Sequence, residues 1–578
     1  MIVYRDQRSR ADPRGLRAEL RALARRFPHA PPHEAARDAL ILTGTLESAA
    51  ADATFPDCDG VAPLIEALRQ ATVLAGHVLW HAWRAAEAEA EEWWQRWRQQ
   101  IDAVPDSCLP QQVELTVPEG YSQYAVYPEM YLEAAKRCRA ELGPIEAVCL
   151  GLRSIGTSLS AVVTASLEEM GCRVRSATLR PRGHPYDRRP RLRPELKAAL
   201  RPVGEIPYLL VDEGPGISGS SLSGTAAMLR DWGVPEERIL LFPSWQTDGA
   251  HLQSRMARET WSHHRQFTVS FDDVWLGSGR LQNTFPGELQ DVSAGRWRAE
   301  VYAGAADYPA VQPQHERRKY LLSTPGSQSR VKLLKFAGLG KAGERKLERA
   351  HRLASLGFTP EPETLAHGFL LRPFVPGTPV RSGEVNQELL HIIALYLAHL
   401  SREHRAEPTV THRCLAEMAV VNVTEGLGEP AAAMIPSGDG WEERVVALDG
   451  RMLAHEWIRT PDGYLKVDAL DHHDDHFFPG CQDIAWDLAA AAVELDLEEP
   501  ARASLVERYR TLSGDLTIAR RLPFYTTAYL AFRLGYSTMA TTMLGNTADA
   551  RRFAGQADRY REVIGRELGS ATGARRHG

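Results

Sequence analysis

A chain of 578 residues is too long for a single hydrophobic core, so more than one domain is expected, and 44% hydrophobic with 25% charged residues is typical of an ordinary globular protein. A formal net charge of −6 provides no basic field for nucleic acid or acidic membranes, and no apolar run reaches the roughly 20 residues that a membrane span needs. The seven cysteines form no close pair, which argues against a zinc site or disulfide framework and indicates a reducing, cytoplasmic environment.

Residues 1–115 predict a helical N-terminal module. Apolar residues recur at helical spacing through VAPLIEALRQATVLAGHVLWHAWRAAEAEAEEWWQRW, with almost no strand pattern. The segment carries an aromatic cluster of Trp80, Trp83, Trp93, Trp94 and Trp97. These rings could form a platform on which bases stack, but packing between neighbouring helices explains them more simply.

Residues 116–269 predict an α/β domain with a parallel sheet. Short apolar strand patterns such as IEAVCLG, IPYLLVD and RILLFPS alternate with helical patterns such as SLSAVVTASLEEMG. Strands separated by helices form a parallel sheet covered on both faces, and such sheets bind ligands at the carboxyl ends of their strands. We expect the functional residues of this domain at that edge.

The stretch YLLVDEGPGISGSSL has the properties of a phosphate-binding loop. Glycines let backbone N–H groups converge on an anion, serine hydroxyls add donors, and the helix from about Leu222 directs its positive end to the same point. The candidate phosphate ligands are Gly214, Gly216, Ser218, Gly219, Ser220 and Ser221. The carboxylates of Asp212 and Glu213 would hold hydroxyl groups or a hydrated Mg²⁺ beside the phosphate. A sugar phosphate satisfies both demands.

This strand, acidic pair and Ser/Gly loop resemble the ribose-phosphate motif of the type I phosphoribosyltransferases. In that family the acidic pair contacts the ribose hydroxyls and the loop binds the 5-phosphate; here the loop is one residue longer than usual, with Ser in place of Thr. Upstream, VCLGLRSIGTSLSAVV stands where the family has its pyrophosphate loop. The resemblance implies that five residues of this loop bind the diphosphate: Gly151, Arg153, Ser154, Gly156 and Thr157. The guanidinium of Arg153 suits a diphosphate because it can donate two parallel hydrogen bonds.

The arginine-rich stretch RPRGHPYDRRPRLR lies between the two loops, where the family has a mobile loop that closes over diphosphate. By itself it is equally consistent with a solvated basic loop. Because both neighbouring loops occur in the family's order, we favour a catalytic lid. Its residues are Arg180, Arg182, His184, Tyr186 and Arg188.

The resemblance implies phosphoribosyl transfer from phosphoribosyl diphosphate to a base-like or other small-molecule acceptor, with Mg²⁺ near Asp212. Displacing diphosphate from the ribose C1 passes through an oxocarbenium-like state, so the site must neutralise the leaving group and exclude water. Asp212, Glu213 and Arg153 are the expected catalytic residues. The acceptor and the oligomeric state are not readable from the sequence.

Residues 270–310 are expected to be a connecting segment that includes a strand, residues 311–570 a second, α+β domain, and residues 571–578 a disordered tail. In the second domain, RVKLLKFAGLGKAGERKLERAHRLASLGFTPEP followed by HGFLLRPFVPGTPV resembles the N-terminal lobe of the bilobal, kinase-like small-molecule phosphotransferases, which include aminoglycoside and choline kinases.

That resemblance makes Lys335 the strand lysine that holds ATP phosphates. Glu344 or Glu348 on the following helix would be its ion-pair partner, and the STPGSQSR turn would cover the phosphates. Further along, Asp468 at the end of YLKVD falls on the family's metal-binding aspartate. The acidic pair in QDIAWDLA, Asp483 and Asp487, falls on the pair that steadies the catalytic loop.

The catalytic His-Gly-Asp motif of that family, with its downstream Asn, is missing. When His455 is aligned with the Asn, Gly450 takes the place of the catalytic aspartate and Asp449 lies one residue away. A base must reach the proton of the acceptor hydroxyl, and a shift of one residue can remove that reach. The domain is therefore expected to bind ATP or another nucleotide without phosphorylating, or to use Asp449 or a different residue as base.

The run DHHDDH at residues 471–476 suggests a metal site. Asp and His at this density could bind Zn²⁺, Mn²⁺ or Fe²⁺, whereas mixed charge in a loop is common without any metal. We favour Mg²⁺ near Asp468, with Asp471 or Asp474 as a further ligand.

The sequence thus predicts an α/β multidomain protein in which a phosphoribosyltransferase-like domain precedes a kinase-like domain. The leading hypothesis is phosphoribosyl transfer coupled to nucleotide binding. One alternative is a non-catalytic sensor that binds ribose phosphates and nucleotides, as in stress or antiviral systems, and another is an enzyme that cleaves the glycosidic bond of a nucleoside or nucleotide.

Overall fold

The computed structural model describes residues 1–5, 7–201, 205–216, 218–250, 252, 254–323, 331–438 and 440–575, with side chains described up to residue 569. Most of the STPGSQSR turn, residues 324–330, lies outside the described residues. The chain divides into two compact units. The N-terminal unit comprises Arg8–Pro286 and Gly338–Gly340, and the C-terminal unit comprises Met1–Gln7, Gly287–Ala337 and Lys341–Gly578. None of the helices in the described ranges is both long and apolar enough to cross a membrane.

The N-terminal unit combines a parallel sheet with a group of helices. Its strands are β1 (Arg8–Ala11), β2 (Val113–Thr116), β3 (Glu146–Leu152), β4 (Arg173–Leu179), β5 (Arg182–His184), β6 (Asp187–Arg189), β7 (Tyr208–Val211) and β8 (Ile239–Phe242). Its helices are α1 (Pro13–Arg26), α2 (His33–Thr54), α3 (Pro63–Trp83), α4 (Glu87–Ala103), α5 (Glu119–Ser122), α6 (Pro128–Leu142), α7 (Ile155–Glu169), α8 (Pro194–Leu200), α9 (Ser220–Asp231), α10 (Arg255–His263) and α11 (Arg280–Thr284).

The central sheet of this unit has the strand order β4-β3-β7-β8, and all three pairings are parallel. The parallel sheet that the alternating pattern predicts is therefore confirmed. The strands β7 and β8 are buried throughout, as their continuous apolar sequences require. From β3 the chain first adds β4 on one side and later β7 and β8 on the other. The order of strands therefore reverses between β3 and β7, and such a position binds ligands in open α/β sheets.

The helical segment before the sheet packs within the same unit, which differs from the expected separate module of residues 1–115. Helices α2 and α3 lie against α7 at glycines, where no side chain separates the backbones. A Cβ on Gly44 would lie 2.8 Å from Cβ of Ser158, and a Cβ on Gly76 would lie 2.8 Å from the carbonyl oxygen of Ala161. The helices thus complete the covering of one sheet face.

The tryptophans of this segment pack in the interior, as the simpler interpretation expects. Trp94 and Trp97 are fully buried and stack with ring centroids 4.4 Å apart. Trp80 and Trp83 are also buried. Trp93 is half-buried and stacks on His77 at 4.1 Å. These rings therefore serve the core and do not form an open platform for bases.

The C-terminal unit contains a five-stranded antiparallel sheet and a larger helical part. Its strands are β9 (Glu288–Asp291), β10 (Lys319–Ser323), β11 (Lys332–Phe336), β12 (Thr364–Ala366), β13 (Phe369–Pro373), β14 (Thr378–Pro379), β15 (Val445–Ala447), β16 (Trp457–Thr460), β17 (Gly463–Lys466) and β18 (Cys481–Asp483). Its helices are α12 (Arg298–Val301), α13 (Lys341–Ser355), α14 (Gln387–Glu403), α15 (His412–Leu427), α16 (Glu429–Ala432), α17 (Ala485–Glu494), α18 (Glu499–Ser513), α19 (Ile518–Leu544) and α20 (Ala548–Arg575).

The sheets of this unit have the orders β12-β13-β11-β10-β9, β14-β16-β17 and β15-β18. The edge strand β9 comes from the expected connecting segment, and its residue Asp291 pairs with Tyr320 of β10. Helix α20 continues past residue 570, where the disordered tail was expected to begin. The first residues of the chain also belong here, because Val3 is buried and the amide of Ile2 donates to Asn422.

Candidate functional site

The first candidate site lies at the carboxyl edge of the parallel sheet, between β3 and β7. We call it the switch-point site and define it by the loop of residues 151–157 and, of the second loop, residues 212–216 and 218–221. Gly151 pairs with Val211, so the two loops leave the sheet side by side. Helices α7 and α9 both begin here, and their N-terminal N–H groups favour a bound anion. The fold therefore brings together the two loops that the sequence singled out.

The acidic pair of this site is partly buried. Glu213 accepts a hydrogen bond from the amide of Gly120 at 3.2 Å, and Asp212 accepts one from the amide of Glu213 at 2.9 Å. Burial raises the pKa of Asp212 to about 6. Burial, together with the neighbouring Asp212, raises the pKa of Glu213 to about 7. Two such carboxyls are suited to accept hydrogen bonds from ligand hydroxyls or to bind a cation.

The upstream loop is packed closely against its surroundings. A Cβ on Gly151 would lie 2.2 Å from Oγ of Ser160, and a Cβ on Gly156 would lie 2.7 Å from the carbonyl oxygen of Val211. Thr157 is buried, and Ser154 has a φ of 123° immediately before α7. A non-glycine residue with this φ stores backbone strain, which is concentrated at functional sites.

The downstream loop is held by its serines and by the arginine-rich hairpin. Gly219 adopts the left-handed conformation with a φ of 61° before α9. Oγ of Ser218 lies 3.1 Å from Oγ of Ser220, and the Ser220 hydroxyl donates to the carbonyl of Pro185 at 2.6 Å. Gly214 and Ser221 are half-buried and Gly216 is exposed. The β5–β6 hairpin that carries Pro185 therefore contacts this loop directly.

Arg153 does not face the loop as the sequence predicted. It is buried, its Nε donates to Asp52 at 2.8 Å, and it also pairs with Asp59. Arg180 pairs with Asp52, and Arg182 donates to Asp59 at 3.0 Å. All three arginines therefore share Asp52 and Asp59, and the pairing of Arg153 with both carboxylates corrects its assignment to a diphosphate.

The remaining lid residues are exposed. His184, Tyr186 and Arg188 lie on the β5–β6 hairpin, and Tyr186 is 41% exposed. The charges of Arg180 and Arg188 lower the pKa of Asp212 against the larger effect of burial. Arg188 is exposed, whereas Arg180 and Arg182 pair with Asp52 and Asp59.

The second candidate site is a cavity of about 420 Å³ in the C-terminal unit. Its apolar walls come from the five-stranded sheet, from the segment after β13 and from β16. They include Leu321, Leu333, Phe374, Val375 and Ile458. Charged and polar groups converge at another part of the wall, and they include Lys319, Lys335, Arg372, His455, Glu456, Asp468 and His472. An apolar cavity with a few convergent polar groups is typical of a small-molecule site.

Lys335 is in the cavity, but its partner is not the expected glutamate. Its Nζ lies 2.6 Å from Oδ1 of Asp468 and 3.9 Å from Oδ1 of Asp471. Glu344 and Glu348 are exposed on the outer face of α13, where Glu348 pairs with Arg352. The helical period explains the difference, because the face of α13 that points inward carries a lysine.

That inward residue is Lys346, which is 2% exposed and lies 3.8 Å from Oδ2 of Asp471. Burial lowers the pKa of Lys346 to about 8. The expected lysine–glutamate pair between strand and helix is thus replaced by two lysines, Lys335 and Lys346, that share Asp471.

Asp449 is withdrawn into the interior and does not line the cavity. It is fully buried, accepts a hydrogen bond from the Tyr396 hydroxyl at 2.7 Å and lies 3.2 Å from Nζ of Lys466. Burial alone would raise the pKa of Asp449, but Lys466 holds it below its ordinary value. Asp449 is therefore an ionised structural group, and the geometry gives it no access to an acceptor hydroxyl.

The neighbouring Gly450 leaves no room for a catalytic aspartate. Its φ is 97°, and a Cβ there would lie 2.8 Å from Cγ of Pro479. The carboxylate of Asp487 accepts from the amides of Asp449 and Gly450, both at 2.8 Å. Asp487 thus holds the loop, whereas Asp483 accepts from the amide of Arg444, which precedes β15.

His455 lines the cavity and stacks on Trp297, with ring centroids 5.9 Å apart. Burial lowers the pKa of His455, so the imidazole is neutral near pH 7. The stacking places Trp297, which comes from the expected connecting segment, in the wall of the cavity. Sequence reasoning missed this residue because the segment lacks a clear period.

The DHHDDH run is mostly occupied by ion pairs. Asp471 and Asp475 accept from the guanidinium of Arg317, each at 3.2 Å. The Nδ1 of His473 lies 3.1 Å from the carbonyl oxygen of Leu448. Neither Asp471 nor Asp474 joins Asp468 in a group with metal-binding geometry among the described residues.

A different group could hold a metal ion. Glu456, Asp468 and His472 each offer one ligand atom, and these atoms lie within 4.8 Å of one another. The donor set of two carboxylates and an imidazole fits a divalent cation. The density of DHHDDH pointed to this region, but no sequence signal marked Glu456, which comes from a 3₁₀ turn 12 residues before Asp468.

Comparison with solved structures finds chains that overlap about half of this protein. Choline kinase LicA from Streptococcus pneumoniae is 13% identical with a TM-score of 0.34, over 51% of this chain and 98% of that chain. A choline/ethanolamine kinase family protein from Mesorhizobium loti is 12% identical with a TM-score of 0.33, over 51% and 96%. Macrolide 2′-phosphotransferase MphH from Brachybacterium faecium is 14% identical with a TM-score of 0.32, over 49% and 97%.

Each of the three carries the name of a kinase or a phosphotransferase. No protein-family model and no curated protein matches the chain.

Proposed function

We propose that the C-terminal unit binds a nucleotide in its 420 Å³ cavity. The observation that carries this proposal is the ion pair between Lys335 and Asp468 at 2.6 Å, at the polar part of an otherwise apolar cavity. A lysine on a strand can hold nucleotide phosphates, and the aspartate facing it can hold the cation that accompanies them. Asp468 is ionised, because Lys335 lowers its pKa against the effect of burial.

The walls of the cavity support the same ligand. The apolar side chains of Leu321, Leu333 and Ile458 provide surfaces on which a flat base can pack. Arg372 adds positive charge beside Lys335, which favours a phosphorylated ligand over an uncharged one, whereas Lys319 pairs with Glu316 at 3.1 Å. ATP satisfies both demands, and a divalent cation bound by Asp468 would neutralise part of its phosphate charge.

Phosphoryl transfer through Asp449 is not part of this proposal. Its carboxylate is held by Tyr396 and Lys466 away from the cavity, and a general base must reach the proton it removes. A cavity that binds nucleotide without such a base supports a sensing or regulatory role for this unit.

Isothermal titration of the full chain with a non-hydrolysable ATP analogue tests the proposal. Lys335→Met should weaken binding at least about tenfold, because a charge-assisted phosphate contact is worth about 1.5–3 kcal/mol. Lys332→Met is the matched control: Lys332 lies on the same strand, pairs with Glu363 and does not line the cavity. Equal affinities for both variants, or no binding of any nucleotide, would overturn the proposal.

A second proposed function is the binding of a phosphoribosyl group at the switch-point site of the N-terminal unit. It is supported by the pKa values of Asp212 and Glu213, which burial raises to about 6 and about 7, beside a serine-rich loop at the start of α9. Ribose hydroxyls would satisfy these carboxyls, and the N-terminus of α9 would hold the 5-phosphate. Because Arg153 is neutralised, the exposed Arg188 is the group proposed to meet the diphosphate.

The proposed reaction is transfer of the phosphoribosyl group from phosphoribosyl diphosphate to a base-like acceptor, with release of diphosphate. Titration with phosphoribosyl diphosphate should show binding that Asp212→Asn weakens at least about tenfold. Asp231→Asn, at the exposed C-terminal end of α9, is the control. Failure of the donor to bind rejects this function. Base release from a nucleotide would favour glycosidic cleavage, and binding at both sites without turnover would favour a sensor.

A further inference from the structure

The three residues that can ligate a cation come from three separate pieces of the C-terminal unit. Glu456 ends a 3₁₀ turn before β16, Asp468 follows β17, and His472 begins a second 3₁₀ turn. Their ligand atoms lie within 4.8 Å of one another. An ion with ligand bonds of about 2.2 Å holds its ligand atoms up to about 4.4 Å apart. Small side-chain rotations therefore suffice to close this group around one ion.

The backbone fixes the imidazole of His472 in the tautomer that binds metals. Its Nδ1 lies 3.0 Å from the carbonyl oxygen of Asp449. A carbonyl oxygen can only accept, so the proton of the neutral ring is on Nδ1, and Nε2 carries a free lone pair. A backbone carbonyl in this position orients metal-binding histidines and increases their basicity.

The two carboxylates carry charges that lysines now balance. Nζ of Lys335 lies 2.6 Å from Asp468, and Nζ of Lys466 lies 2.6 Å from Glu456. Each lysine contacts one oxygen of its carboxylate, and each carboxylate has a second oxygen that can bind an ion. When phosphate draws Lys335 away, Asp468 gains capacity for a cation.

We propose that Glu456, Asp468 and His472 bind a first-row transition-metal ion such as Mn²⁺ in preference to Mg²⁺. Mg²⁺ takes oxygen ligands and retains its waters, whereas Mn²⁺ accepts carboxylates together with an imidazole. This inference rests on the proposed nucleotide site and names the class of metal ion that the site would bind. It also assigns His472 as the ligand that selects the metal.

The test is a titration of the full chain with Mn²⁺, in which electron paramagnetic resonance measures the free ion. The wild-type chain should bind Mn²⁺ at least about tenfold more tightly than Mg²⁺, which is measured by competition. His472→Gln should lose about tenfold or more in Mn²⁺ affinity. Equal affinity for the two metals, or no Mn²⁺ bound at all, would overturn the proposal.

His473→Gln is the matched control. Its Nδ1 also lies near a backbone carbonyl, that of Leu448 at 3.1 Å, but it is not in the ligand group. This variant should bind Mn²⁺ like the wild type, and an equal loss in both variants would show that the loop, not the imidazole of His472, causes the effect.

Failure of this proposal is distinguishable from failure of nucleotide binding. The metal titration contains no nucleotide, and the ATP-analogue titration can be repeated with a chelator present. Mn²⁺ binding that depends on His472 supports the metal proposal even if no nucleotide binds. Nucleotide binding that is identical with Mg²⁺ and Mn²⁺, together with equal direct affinity for the two metals, rejects it while leaving the nucleotide site in place.

Discussion

Glu213→Gln should make the N-terminal unit more stable at alkaline pH than the wild type. Burial and Asp212 raise the pKa of Glu213 from its ordinary 4.5 to about 7. The folded state therefore retains a proton that the unfolded state has lost, and this contribution to stability is fully present below about pH 4.5 and lost as the pH rises through 7. A pKa rise of this size corresponds to about 3 kcal/mol. Glutamine never ionises, so the variant should avoid the loss.

The measurement is urea unfolding of the full chain at pH 5 and pH 8. Hydrogen exchange in peptides that cover β7 is the readout that reports on the N-terminal unit. The free energy of unfolding of Glu213→Gln relative to wild type should increase by about 2–3 kcal/mol between the two pH values. Glu237→Gln provides the control, because Glu237 is exposed before β8 and should leave the pH dependence unchanged. Parallel curves for Glu213→Gln and the wild type would refute the reasoning that the carboxyl is destabilised by burial.

Three further substitutions test the geometry of the two sites. Asp449→Ala should lower the stability of the C-terminal unit, measured by calorimetry, by about 3 kcal/mol, because it removes one partner of a buried ion pair. Nucleotide affinity should change less than about threefold. A selective loss of turnover would instead identify Asp449 as a catalytic base. Gly151→Ala should destabilise the N-terminal unit by about 1–3 kcal/mol in urea, since its Cβ would lie 2.2 Å from Oγ of Ser160, and an unchanged midpoint would contradict this packing. Ser154→Gly should stabilise the same unit by about 1 kcal/mol, because glycine relieves the strain at a φ of 123°; a loss of stability would show that the serine contributes more than its strain costs.

Much of the fold could be predicted from the sequence because the spacing of apolar residues along the chain differs between strands and helices. Continuous apolar runs such as YLLV require strands buried on both faces, and helices between them require parallel pairing. The same local patterns placed Lys335 on a strand and Asp468 just after one. The connecting segment was harder, because its short strand β9 has too few residues to show a period.

The candidate sites could be predicted only in part, because charge partners are set by distance in space. A guanidinium in a phosphate loop suits an anion, yet Arg153 is neutralised by Asp52, which lies 101 residues away in the sequence. The helix that follows Lys335, α13, carries Glu344 and Glu348, but these glutamates are exposed. The residue of α13 that points inward is Lys346. The spacing of residues along the sequence does not indicate which distant carboxylate will lie close to a given lysine.

The sequence by itself determined the parallel sheet, the position of both loops at its carboxyl edge, and the strand lysine and following aspartate of the second unit. These features depend on the spacing of apolar side chains and on the residues that end strands and helices, and both are properties of short stretches of sequence. Only the tertiary structure decided that Asp449 is buried and that Glu456 and His472 meet Asp468. The reason is physical: hydrogen bonds and ion pairs act over a few ångströms, and only the packed fold determines which side chains come that close.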